Sequence, residues 1–240
     1  MVPVAALAFA IVLQSSVAAA PDRRSPSTPP VATAATLAES EAKLLNDPDN
    51  LRLGADYRQR IIASRQFDRA IKFFRELVRY HPQAQNAFIN YAFAYVDKIP
   101  DASGFSQPFL GRDAIVQFGK ALRLGPNWLA LYVRGLVYLY YKPFVKVTRY
   151  GVADLERALE VQRHEPLRSY HVHTYISLGD GYWKINNLTR ATAVWREGLA
   201  LFTANAALQA RLAADGPDLK RLVSDTLDAD VRLDTSLSEF

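Results

Sequence analysis

One spacing constrains the fold of this chain more than any other feature. A bulky residue late in one helical pattern lies nine residues before a small residue early in the next. Tyr182 precedes Ala191 in this way across the turn "INNL", and Ile61 precedes Ala70. Two intermediate stretches keep the frame with longer turns: Tyr95 and Ala114 are nineteen residues apart, and Tyr138 and Gly151 thirteen. Ten and four extra residues therefore fall inside those turns. The shared register makes four copies of one helix-turn-helix unit, from about Asn50 to Thr203. A helical hairpin of this size cannot bury its apolar face alone, so stacked copies predict an all-α solenoid.

The residues inside each copy have assignable work. A glycine within a helix costs about 1 kcal/mol relative to alanine and needs a compensating close approach. Gly179, with Ala92 and Gly135 at equivalent positions, is expected to let paired helices come together, while Tyr95, Tyr138 and Tyr182 fill the space between successive units. Ala114, Ala121, Ala158 and Ala191 supply the small positions of the second helices, beside Phe74, Phe118, Leu155 and Trp195. Pro82 and Pro126 close the first two copies, and Pro166 closes the third late.

The Leu178-Gly179-x-x-Tyr182 helix, the Ala-x-x-x-aromatic helix and the closing proline resemble the tetratricopeptide repeat (TPR), a unit of about 34 residues. The resemblance implies a right-handed helical-hairpin solenoid of about four repeats. It departs at Tyr57 and Arg58, where the family has Leu-Gly, and at Thr203, where it has proline. The stretches "YAFAYVDKIP" and "GVADLERALE" are also similar to small exported bacterial proteins of this family. The resemblance further implies that the first helix of each copy lines a concave groove. Positions that grip a C-terminal carboxylate in some members here carry Ala55, Gln59, Asn90, Leu129 and Val133; only Asn90 fits, which argues against a chaperone-tail clamp.

The chain ends have a different character. Residues 1–20 combine an apolar run, Val2 to Leu13, with a polar break and small residues up to Ala20, the pattern of a secretory signal with cleavage expected near Ala18 or Ala19. No lysine or arginine precedes the run. Twelve apolar residues are too few to cross a hydrocarbon layer of roughly 30 Å, so no stable membrane span is expected after cleavage. The export expected is to a periplasm or to the outside, with an anchored form if the segment stays on. Residues 21–35, rich in proline, serine, threonine and alanine, read as a flexible linker. Thr36 with Glu39 offers a capping box, so the folded domain is expected to span 36–228. Two helical segments broken at Gly216-Pro217 form its C-terminal cap, and residues 229–240 are expected to trail off as a tail.

Composition removes several kinds of chemistry. Cysteine is absent, which excludes disulfides, thiolate catalysis and cysteine-held metals. The net charge of +5 is spread over interspersed signs, so a nucleic-acid surface is not expected. In a helix His171 and His173 would point apart, and with His164 they make a poor metal set. Asp180 lacks a partner carboxylate for acid-base work, and Asn187 heads an N-x-T triplet best read as a turn. No cofactor or metal is expected, and no enzyme.

What remains are binding surfaces. Along the groove-facing helices, Phe93, Asp97, Tyr132, Tyr140, His173, Asp180, Trp183 and Lys184 form an aromatic face with isolated charges. The two long turns lie in adjacent copies, so a solenoid brings them out side by side; Tyr141, Phe144 and Arg149 are the contact residues expected there. The function expected is a non-catalytic adaptor that binds another protein or peptide, with a small-ligand or lipid carrier as the alternative.

Overall fold

The computed structural model describes residues 34–141, 146–228 and 233–239. The signal segment, nearly all of the linker, and Phe144 lie outside the described residues.

The described residues form eleven α-helices: α1 Ala34–Asn46, α2 Leu51–Ser64, α3 Phe67–Tyr80, α4 Gln85–Lys98, α5 Gln107–Leu124, α6 Trp128–Tyr140, α7 Thr148–Arg163, α8 Val172–Lys184, α9 Leu188–Leu201, α10 Ala206–Ala213 and α11 Gly216–Thr226. Helices α2/α3, α4/α5, α6/α7 and α8/α9 are the four expected hairpins, and from α1 to α10 each helix packs on the next. The fold is an all-α helical solenoid.

Local chemistry sets many of the boundaries. Asn50, Asn127, Asn187 and Asn205 cap α2, α6, α9 and α10, each side chain accepting from the amide three residues on. Asn187 of the N-x-T triplet is thus such a cap. Arg65 ends α2 in the left-handed region at φ 54°.

The hairpins close where small residues were expected. A Cβ on Gly179 would stand 2.1 Å from the Trp195 indole nitrogen, which donates to the Ile176 carbonyl at 3.3 Å. Only a residue without a side chain permits that approach of α8 and α9. The core of the first two and a half repeats is aromatic, with Tyr57, Phe74, Phe93 and Phe118 fully buried or nearly so. It continues through Leu139, Leu155, Tyr175 and Trp195 into the C-terminal half.

Three boundaries differ from expectation. Helix α1 begins by Ala34, so Thr36 lies inside it and its carbonyl accepts from Ser40 Oγ at 2.9 Å. Two successive alanines, the best helix formers, carry the helix past the capping box. The ten extra residues of the second copy are largely ordered into a 3-10 turn, Ile99–Asp101, and an α5 that starts early on Pro108 in its first turn. Finally, residues 233–239, expected to trail off, are held on the helices: Thr235 and Leu237 are buried, Thr235 against α2 and α4.

Candidate functional site

Helices α2 and α4 face each other across a short polar network. Arg58, fully buried, donates from Nε to Asn90 Oδ1 at 3.0 Å and from Nη1 to Asp97 Oδ2 at 2.9 Å; its third nitrogen, Nη2, donates to the Thr235 carbonyl at 2.9 Å. The guanidinium lies 4.5 Å from the Phe93 ring centroid. Thr235 Oγ1 donates to Asp97 Oδ1 at 2.5 Å, so both carboxylate oxygens are engaged. Asn90 is held by donating to the carbonyls of Asn86 and Leu51 at 3.1 and 3.3 Å. Its amide occupies the place of a side chain at Gly54, where a Cβ would come within 2.1 Å. A buried charge is tolerated only when paired and hydrogen-bonded, and here every guanidinium nitrogen has a partner.

The other groove positions carry less free surface than expected. Tyr132 stacks on Trp128 with centroids 5.0 Å apart and planes within 5°, and burial pushes its hydroxyl up to about 12. Burial likewise raises Tyr140, and the nearby Asp228 carboxylate adds to the effect. His173 is half-buried; burial lowers its pKa, opposed by Glu239 of the C-terminal segment. Asp180 is fully buried, and Arg211 of α10 takes both carboxylate oxygens at 2.6 and 2.7 Å. It ties the cap to α8 and offers no oxygen to a partner. Lys184 donates to the carbonyls of Leu139 and, at 2.8 Å, Tyr141, so it satisfies the C-terminus of α6 rather than facing a ligand. Trp183 is partly buried on the C-terminal core.

The histidines do not come together. His171 is buried beside Trp128 and Tyr170, His164 is exposed next to Glu160, and His173 lies near Tyr132. Among the described residues no three metal-ligating side chains gather.

The two long turns do meet. Tyr141 Oη donates to the Pro108 carbonyl at 2.6 Å. Between them lies an open, mostly apolar hollow of about 350 Å³ lined by Pro108, Phe109, Arg112, Ile115, Tyr138 and Tyr141, with Val147 at its side. Tyr150 contacts Tyr138 at 5.8 Å between centroids, and the Arg112 guanidinium stands 5.7 Å from the Phe109 ring. Phe105 is 93% exposed, Phe109 61% and Tyr150 57%. Arg149 is exposed in the first turn of α7. The juxtaposition follows the repeat count; within it Tyr141 is committed to the opposite turn, while Phe105, Phe109 and Tyr150 are exposed.

No family model matches the chain, and no curated protein does. Among solved structures the chain is similar to the crystal structure of TTC0263, a thermophilic TPR protein of Thermus thermophilus. The match has a TM-score of 0.54 at 19% identity and covers 75% of this chain and 88% of that one. The solenoid is therefore of the TPR type. At this identity the likeness speaks for the fold alone.

The site residues missed in the sequence are Arg58, Arg52, Arg211, Thr235 and Leu237. One sign was available, since Arg58 stands where the repeat has glycine.

Proposed function

We propose that this chain is a non-catalytic scaffold, exported to the cell envelope or beyond, that binds another protein or peptide through the edge formed by its two long turns. The observation that carries the reading is the apolar hollow lined by the exposed Phe109 with Arg112, together with the exposed Tyr150, which packs on Tyr138 of the same lining. Scattered exposed apolar residues are ordinary, but a cluster of large ones with an arginine has the composition of an interface centre. The carrier alternative has less support, because the face between α2 and α4 is filled by the chain's own Thr235 and Leu237. Export rests on the apolar run Val2 to Leu13, and protein recovered from the cytosol with an intact Met1 would count against it.

The binding reading is tested with a photo-crosslinking residue at Phe109 in the native envelope, against the same residue at exposed Tyr80. Expected are adducts of defined mass from position 109 only. They should vanish when Phe105 and Tyr150 are both changed to serine, with the helical circular dichroism unchanged. Equal labelling from position 80, or adducts that survive those changes, would refute it.

A further inference from the structure

The C-terminal segment sits on α2 and α4 as a peptide sits on a receptor. Its contacts are few and specific. Thr235 presents its carbonyl to Arg58 Nη2 and its hydroxyl to Asp97, and the Leu237 carbonyl accepts from Arg52 Nη1 at 2.7 Å. The Leu237 side chain enters the core cluster shared by α2 and α4. Leu237 also holds φ at 56°, the left-handed region that a branched residue rarely adopts. Such a conformation persists only where the surroundings over-determine it. The receptor side is built from α2 and α4, and the tail adds partners for Arg58 Nη2 and Asp97 Oδ1. Asn90 and Asp97 fix Arg58, and Gly54 makes room for Asn90. What the receptor reads is three successive backbone carbonyls, of Thr235, Ser236 and Leu237, with one hydroxyl and one leucine, features that any Thr-x-Leu segment can present.

We propose that residues 233–239 are a built-in ligand of the α2–α4 face, and that this face is a receptor for a Thr-x-Leu segment of another chain, which the tail excludes until it is displaced. The inference rests on reading the chain as a peptide-binding scaffold and gives that reading a second surface and a recognition chemistry. A tethered segment competes at an effective concentration on the order of millimolar, so it keeps weak segments out and yields to tight ones. A receptor whose competent state is rarely populated loses apparent affinity in proportion.

The experiment uses the full chain and a fluorescent peptide of sequence LDTSLSEF, residues 233–240. Full-length protein carrying Thr235→Val and Leu237→Asp should bind the peptide about tenfold or more tighter than wild type, as expected for removal of a mostly docked competitor. A peptide with the same two changes should not bind. In a second measurement on the wild-type chain, excess unlabelled peptide should speed trimming of the tail by a carboxypeptidase, while the doubly changed peptide should not. This arm needs no variant to fold. Equal peptide affinity of variant and wild type, or trimming indifferent to the peptide, overturns the inference. If either occurs while position 109 still captures its partner, only the tail inference falls; loss of capture at 109 with peptide binding intact removes only the loop-edge reading.

Discussion

Arg58 shows what a single residue can do in a repeat protein. Desolvating a guanidinium costs several kcal/mol, and leaving a buried charge unpaired typically costs about 3 to 5 kcal/mol. Its three nitrogens are nonetheless satisfied, by two side chains of the next repeat and one carbonyl of the tail. These partners lie 32, 39 and 177 residues away, which is why no local pattern could reveal them. The departure from the repeat at Arg58 was visible; what it pairs with was not. His171 poses the opposite problem, a titratable ring buried with no hydrogen bond on Nε2 and the Glu165 carboxylate 3.8 Å away. Burial lowers its pKa below 6.5, and the smaller effect of Glu165 pulls it back. The folded state therefore resists protonation of this ring more than the unfolded chain does. Its contribution is fully present above about pH 6.5 and is lost as pH falls through the lower folded value. Urea midpoints measured from pH 7.5 to 5 should fall for wild type, and His171→Phe should fall less, so that the gap between them narrows toward acid. A gap independent of pH would show that the ring is not held neutral by the fold.

At the scale of the helical hairpin, the repeat pattern was legible because it is local and periodic. Gly179 and Trp195 sit sixteen residues apart in one unit, and the indole fills the place where a Cβ would stand. Gly179→Ala should force the indole or the helix axis to shift, at a cost of about 1 to 3 kcal/mol, despite the better helix propensity of alanine. Combining it with Trp195→Leu should give less than the sum of the single effects, because both act on one contact. Strict additivity in urea denaturation would place the strain elsewhere. The long turns were legible only as insertions. Their number and side followed from the spacing, but the lengthening of α5, the Tyr141–Pro108 hydrogen bond and the Lys184 cap of α6 depend on contacts between copies. Lys184 looked like a groove charge because a helix-face pattern cannot show that a neighbouring helix ends beside it.

For the whole molecule, the tail changes how the solenoid should unfold. A stack in which each unit touches only its neighbours behaves as a one-dimensional chain, and its ends can open separately. Here α11 leads to a segment whose Thr235 bonds to Arg58 and Asp97 in the first two repeats, so the last residues stabilise the first ones. Docking links the two halves and should make them unfold together. The three tryptophans, Trp128, Trp183 and Trp195, all lie from α6 onward, so their fluorescence reports the C-terminal half, whereas far-ultraviolet circular dichroism reports every helix. In wild type the two signals should trace one urea transition. In the Thr235→Val, Leu237→Asp variant they should separate, with part of the helical signal, from α1 to α4, lost at lower urea than the tryptophan signal. Coincident curves in that variant would mean that neighbour contacts alone hold the halves together, and that the docked tail guards the receptor face without coupling the ends of the molecule.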